Sequence, residues 1–473
     1  MRRCCLVLLW VCAACGAPPA DDPQLVATLV RSWYGVARVE RLSPPVTSRL
    51  LAYHAAALYA GLVAADPAAV APFGALNDAP ALPPSTEPLD GTWTAIAALR
   101  VVSDSLLTEA LPTTRAALTR LADSLADART AVRGGGRTRA RAEAHGAAIG
   151  RAVVAWARRD GFAETRGRAY EPPAGPGRWI NDAPANVFAT QKTSGASETV
   201  FLEDPTNTLR AGSTSDRALV LSRAKSRGAG TLPAVNMAGA SEPYWGALRP
   251  FALGRWDACP VPPPPAYATA RGTPLREAAE TVVATQRMLT EAQRATALYW
   301  ADNAGESGTP AGHWAAIASA AAAAHGRSAR DAAGVVFATS VAVADAFIAA
   351  WGYKYRDVTI RPRTYIRRVI DPRWEPVIPT PPFPEHPAGH ATQSAAAAAV
   401  LTARLGDGPF IDSTSVALGH PPRRYASFIA AADEAAVSRL YGGIHFPTGN
   451  EAGRLLGACI GRVVAAAGIG VTP

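Results

Sequence analysis

Residues 379–394, PTPPFPEHPAGHATQS, make two opposite local demands in one short stretch. Pro379, Pro381, Pro382, Pro384 and Pro387 fix their own φ and push the residues before them into extended backbone. Gly389 then frees the chain where an alanine-rich run begins, and residues 391–405 read as a helix. A helix start is therefore pinned at Gly389 and His390. Unpaired backbone N–H groups and the positive end of the dipole point outward there, a ready-made anion site. Taken alone, the stretch also fits a proline-rich connector leading into a structural helix. Segments elsewhere in the chain decide between the two.

The chain has 473 residues, 49% of them apolar, enough to bury a large core in one big domain or two joined bundles. Its net charge of +9 is spread as single arginines along helices, with no basic block and no aromatic-basic repeat. That pattern argues against nucleic acid as a partner and suits a protein that gathers small anions. At the N-terminus, Arg2 and Arg3 precede an apolar core, residues 4–12, too short to span a bilayer as a helix. Ala13-Ala14-Cys15-Gly16 is similar to a bacterial lipobox. The expectation is an exported protein: a periplasmic or outer-membrane lipoprotein anchored through Cys15, or a plainly secreted one. Beyond that leader only Cys259 and Cys459 remain, able to form one disulfide or to stay as buried small hydrophobes.

The periodicity is mainly helical. Apolar-periodic runs cover 46–65, 93–110, 115–132 and 138–160. Gly, Pro, Ser, Thr and Asn then dominate residues 163–272, a long irregular stretch with a short periodic run at 217–225. Trp179, Trp245 and Phe251 predict that parts of it pack down. Helices resume at Thr273-Pro274 and continue to Trp300, then cover 312–325. Ser328 and Asp331 cap a long helix expected to end near Trp351. Asp345 interrupts its apolar run, which argues against an integral membrane protein. No strand series and no short-period repeat stand out. This gives a leader at 1–15, a linker and the start of the first helix at 16–40, and one large domain at 41–473. Within that domain an N-terminal bundle spans about 41–162, the irregular region about 163–272, and a C-terminal bundle about 273–473.

Charged and imidazole side chains gather in that last third. Lys354 and Arg361 are seven apart, so a helix would aim both at one point. Arg439 ends a helix, Gly442 and Gly443 turn the chain, and His445 precedes a last helix that Thr448 and Glu451 are expected to cap. Three cations and two histidines would then converge on one anion. His386 and His390 stand four apart, but Pro387 and Gly389 spoil the helix that a zinc pair would need. His54, His145, His313, His325 and His420 carry no pattern.

In order, these segments read Lys-x6-Arg-Pro, Pro-x-Gly-His and Arg-x5-His, similar to the three-part signature of the type 2 phosphatidic acid phosphatase (PAP2) superfamily. Residues 381–392 resemble its soluble vanadium-dependent haloperoxidase branch. So do Trp351, Trp300-Ala301-Asp302 and the opening Ser43-Pro44-Pro45. The likeness covers most of the mature chain and is weakest over residues 182–240. It implies an all-α fold of paired helical bundles, with a long irregular insertion and the site in the C-terminal bundle. By this resemblance Lys354, Arg361 and Arg439 neutralise the equatorial oxygens of vanadate, or of phosphate in the same pocket, and the Gly389 N–H adds a hydrogen bond. His445 would be the axial ligand to vanadium, or the nucleophile to phosphorus, and His390 the acid/base. Asp302 would brace the arginines, while Trp351 and Phe383 would line the halide approach. The implied partners are hydrogen peroxide, a halide and a small organic acceptor, or a phosphate monoester. One pocket suits both chemistries, because phosphoryl transfer passes through the five-coordinate geometry that vanadate adopts at rest.

Two positions depart from the pattern. Ala388 stands where the branch usually has Ser, which removes a charge-assisted hydrogen bond of about 1.5–3 kcal/mol. Gly449 stands where the wider superfamily has Asp, so His445 must find its orienting partner in a backbone carbonyl, a water or another residue. An aspartate introduced at 449 is expected to keep the fold and strengthen the site. Three readings follow: a vanadate-dependent haloperoxidase-like enzyme, a metal-independent acid phosphatase with a phosphohistidine at His445, and a degenerate oxyanion binder without turnover.

Overall fold

The longest helix runs through the core of the protein. In the computed structural model, which describes residues 24–66, 73, 76–85, 87–182 and 240–470, this helix (α10) spans Ala329–Asp357. Alanines and β-branched residues let neighbours approach it from every side. It is long and apolar enough to cross a membrane by length and composition, and its apolar window is wholly buried inside the protein. Asp345, at its centre, accepts the backbone N–H groups of Phe251, Ala252 and Leu253 at 2.6, 2.8 and 2.9 Å. A carboxylate in an apolar helix is thus the clamp for the end of the irregular region.

Before α10 in the chain come α1 (Gln24–Val39), α2 (Pro44–Val63), α3 (Gly91–Leu106), α4 (Pro112–Arg133) and α5 (Arg137–Ala157). A single turn, α6 (Phe162–Thr165), follows. Helix α1 lies where the sequence reads as linker, and its apolar face is buried against later helices. Ser43 caps α2 through its side chain, with Pro44 in the first turn. Residues 166–182 and 240–272 form no helix beyond a short 3₁₀ turn, Trp245–Ala247. Trp179, Trp245 and Phe251 are buried. The periodic run at 217–225 and the leader lie outside the described residues.

The C-terminal half holds α7 (Pro274–Arg287), α8 (Glu291–Tyr299), α9 (Thr309–Ala324), α11 (Pro362–Val369), α12 (Gly389–Leu405), α13 (Phe428–Tyr441) and α14 (Pro447–Ala466). A break at Met288 divides the helical stretch up to Trp300 into two helices. A two-stranded antiparallel pair, β1 (Phe410–Asp412) with β2 (Arg423–Tyr425), was not foreseen. Its register sets Asp412 opposite Arg423.

Helices α12 and α14 pack at backbone distance. Gly449, Gly453, Gly457 and Gly461 recur every four residues along one face of α14. A Cβ at Gly453, Gly457 or Gly461 would stand 2.6, 1.9 or 2.6 Å from the carbonyl oxygens of Ala388, Thr392 and Ala396. This stripe fixes the N-terminal ends of the two helices side by side, which places His390 and His445. Cys259 and Cys459 form a disulfide that ties the irregular region to α14.

Candidate active site

The sequence suggests one helix carrying both Lys354 and Arg361, and the structure separates them. Helix α10 runs past Trp351 to Asp357, so Lys354 lies in its last turn. Val358 then adopts a left-handed conformation, and Arg361 is the N-cap of α11 because Pro362 takes the first helical position. The two cations reach the site from different elements. Likewise α14 begins at Pro447 with Phe446 as N-cap, so Thr448 caps nothing and Glu451 pairs with Arg454 instead.

Lys354 is fully buried, and its ammonium donates to the carbonyls of Pro384, Glu385 and Pro387 at 2.9, 2.9 and 2.6 Å. It therefore shapes the proline-rich loop as well as charging it. Arg361 donates to the Phe383 and Ile444 carbonyls at 2.8 and 2.9 Å and lies 3.0 Å from His445 Nε2. Arg439 donates to Ser438 Oγ at 2.9 Å and to the Trp300 carbonyl at 2.6 Å. Trp351 and Phe383 pack against each other with ring centroids 4.9 Å apart, and the Lys354 ammonium sits 5.1 Å from the Phe383 ring. These rings form an apolar wall beside the cations. Trp351 donates to the Ser241 carbonyl, which binds the end of the irregular region to that wall.

His445 has the partner that the sequence could not name. Its Nδ1 lies 2.8 Å from Glu385 Oε1, which also accepts the Phe446 N–H at 3.2 Å. An ionised carboxylate only accepts and a guanidinium only donates, so these neighbours set the tautomer: Nδ1 carries the proton, and the Nε2 lone pair faces Arg361. Glu385 stands in the proline-rich stretch, where the sequence assigns it no role. Its signal was the empty position 449. A Cβ at Gly449 would lie 2.1 Å from Glu385 Oε1, 2.8 Å from Cδ and 2.9 Å from Oε2. The expectation that an aspartate fits at 449 is therefore corrected, because Glu385 already fills that space.

Among the described residues Asp302 makes no hydrogen bond or ion pair with an arginine. Both its oxygens face His313 Nδ1, at 3.1 and 3.0 Å, while His313 Nε2 lies 2.7 Å from Asp412. Its charge nevertheless favours the cationic form of Arg439. Ala388 is the N-cap of α12, fully buried and without a side-chain cap, and Gly389 opens the helix against Trp351. His390 lies in the first turn, its ring held by the Trp300 backbone.

The electrostatics favour an anion. Burial, then Arg361, pushes the Lys354 ammonium well below its ordinary value. Burial also lowers Arg361 to about 10 and Arg439 to about 9. His445 is driven well down by burial and by Arg361, and His390 by burial and by Arg439. Burial raises Glu385 against the pull of His386 and Lys354. Three enclosed cations thus face one directly placed carboxylate, and an added oxyanion would relieve their mutual repulsion. Two buried nitrogens at the site, Arg361 Nη2 and His390 Nε2, have no hydrogen-bond partner among the described residues. An open guanidinium donor and an open imidazole nitrogen mark room for a group that offers both acceptor oxygens and a hydroxyl, so the residues present fit vanadate or phosphate. A cavity of about 230 Å³ lies behind the His445–Glu385 pair, lined by Tyr267, Asp357, Thr359 and Glu385 among others, and none of the three cations borders it.

Residues 334–468 match the family model of the VCPO second helical-bundle domain. Among solved structures, the chain is similar to the first bacterial vanadium-dependent iodoperoxidase, with a TM-score of 0.77 and 29% identity over 95% of this chain and 97% of that one. It shares the fold of a bacterial vanadium-dependent chloroperoxidase in its holo form, with a TM-score of 0.60 and 16% identity over 92% and 94% of the two chains. The apo form of a bacterial vanadium-dependent chloroperoxidase aligns with a TM-score of 0.61 and 16% identity over 90% and 95%. A comparison with curated proteins finds no match.

Proposed function

We propose that this chain is a member of the vanadium-dependent haloperoxidase family, an exported enzyme that oxidises a halide with hydrogen peroxide at a vanadate held beside His445. The observation that carries this reading is the pairing of His445 Nδ1 with Glu385 at 2.8 Å, which leaves Nε2 unprotonated, its lone pair facing Arg361 at 3.0 Å among three buried cations. Vanadate, when bound, supplies the Lewis-acid centre at which peroxide is activated.

The protein's own part is positioning and proton handling. Arg361 and Arg439 supply charge and N–H donors to the oxyanion, joined by the buried N-terminal end of α12 at Gly389. Lys354 adds charge and holds the loop that carries Glu385. His390, neutral because burial and Arg439 disfavour its cation, offers Nε2 as the acid/base. Trp351 and Phe383 exclude water on the side from which a halide would come, and a small organic acceptor would take the oxidised halogen. Export is supported by the leader, with its lipobox-like Cys15, and by the Cys259–Cys459 disulfide, which suits an oxidising compartment.

A second reading, a PAP2-type phosphatase with a phosphohistidine at His445, is favoured by one observation. Glu385 restores the carboxylate whose absence from position 449 counted against a nucleophilic histidine. The metal-free protein, assayed with and without added vanadate for halide oxidation and for aryl-phosphate hydrolysis, separates the two. Halide oxidation only with vanadate supports the proposal, and hydrolysis that vanadate inhibits supports the phosphatase. Binding without either activity leaves the degenerate binder. His445→Ala is expected to abolish vanadate-dependent activity, whereas His390→Ala should leave the oxyanion bound and slow turnover about 10²–10⁴-fold. Parent-like binding and halide oxidation in His445→Ala would refute the assignment of the site.

A further inference from the structure

We infer that Glu385 is the positioning residue for His445, and that α14 keeps glycine at 449 because the loop carboxylate occupies the space beside it. The inference rests on the reading of His445 as the group that engages the oxyanion, and it deepens that reading. Three observations support it. Glu385 is 2% exposed, and a single oxygen binds both His445 Nδ1 and the N–H of Phe446, the residue that caps α14. One carboxylate therefore sets the imidazole and the start of the helix behind it. Lys354, through the carbonyls of Pro384, Glu385 and Pro387, holds the loop in place at 2.6–2.9 Å. And the three atoms nearest to a Cβ built on Gly449 all belong to the Glu385 carboxylate.

The last point makes the arrangement exclusive. A carboxylate can approach His445 from the loop or from the first turn of α14, but not from both. Gly449 is held in place as well, since its carbonyl accepts the Ala388 N–H at 2.9 Å and its helix is locked to α12 by the glycines below it. A side chain at 449 cannot be relieved by moving the helix, so Glu385 must leave. A single substitution at either position should therefore harm the site, and the two together should repair it.

The test uses the full-length protein, free of vanadate, as parent, Glu385→Ala, Glu385→Gln, Gly449→Asp and the pair Glu385→Ala/Gly449→Asp. Histidine ¹⁵N chemical shifts report which His445 nitrogen carries the proton. Tryptophan fluorescence titrations give the affinities for orthovanadate and orthophosphate, and calorimetry gives the melting temperature. Glu385→Ala is expected to lose the fixed Nδ1–H form and to bind orthovanadate about 10–100-fold more weakly. Gly449→Asp alone should melt lower and bind more weakly. The pair should recover at least about tenfold of the affinity lost in Glu385→Ala. Glu385→Gln keeps an oxygen acceptor and should keep the tautomer while binding about tenfold more weakly; it also serves if Glu385→Ala does not fold. The inference is overturned by an unchanged tautomer and an affinity within twofold of the parent in Glu385→Ala, by parent affinity in Glu385→Gln, or by a pair no better than Glu385→Ala. Should the parent bind neither oxyanion while Glu385→Ala still changes the tautomer, the role of Glu385 stands and the oxyanion reading fails.

Discussion

Ala388 caps α12 without an oxygen, and its neighbours Ala391 and Ala436 leave little polar contact around it. A serine there would place a hydroxyl among unpaired N–H groups and within the charged pocket, at the cost of only one added atom. Ala388→Ser is therefore expected to tighten orthovanadate binding about tenfold or more, the worth of one charge-assisted hydrogen bond. A fluorescence titration of both proteins checks this. A rise in melting temperature with no gain in affinity would mean that the hydroxyl bonds its own helix and does not face the oxyanion. At this scale the histidines and cations were legible because their chemistry demands particular residue types at ordered spacings. Glu385 was not. A carboxylate that acts through a histidine leaves no spacing rule, since any loop that reaches the ring will serve.

Helices were legible where a cap residue is followed by proline, as at Ser43 and Thr273, or by a carboxylate three residues on, as at Ser328. They were misjudged where proline moves the start, as at Pro362 and Pro447, both of which make the preceding residue the N-cap. The largest surprise among the elements is His313, on α9, which carried no pattern. It lies between Asp302 and Asp412, stacks on Trp300 with ring centroids 4.7 Å apart, and so steadies the carbonyl that Arg439 uses. Strand β1 exists to bring Asp412 into this pair, and Tyr299 also donates to Asp412, at 2.6 Å. Burial opposes the His313 charge, yet Asp302 and Asp412 overcome it and raise the group to about 10. A folded pKa above the unfolded value stabilises the fold fully below the unfolded pKa, about 6.5, and that stability is lost as pH rises towards 10. His313→Leu leaves two carboxylates buried without their cation and should cost about 3–5 kcal/mol, measured by urea unfolding at pH 6. The same variant should also lose the alkaline decline in stability expected of the parent between pH 7 and 10. A parent-like decline in the variant would place its origin elsewhere.

Across the whole molecule, two links join the irregular region to the helices that carry the site. The disulfide between Cys259 and Cys459 closes a separation of 200 residues, and the Asp345 clamp holds residues 251–253 against α10. Composition marked the region as irregular and its aromatics as packed, but no local signal pairs a cysteine with another so far along the chain. In the chain-entropy account a loop of that length is worth at most about 5 kcal/mol to the folded state, and removal of native disulfides typically costs about 2–5 kcal/mol. The consequence for the site is different. Ser241 meets Trp351 and Tyr355 through its carbonyl at 3.1 and 2.6 Å, and its N–H donates to Pro382 at 2.8 Å. These contacts lie on the far side of the Asp345 clamp from Cys259, so the clamp stands between the cross-link and the wall of the pocket. The paired variant Cys259→Ser/Cys459→Ser should unfold about 2–5 kcal/mol more easily in urea while binding orthovanadate within about twofold of the parent. A loss of affinity in step with the loss of stability would show that the disulfide, and not Asp345, holds the irregular region against the site.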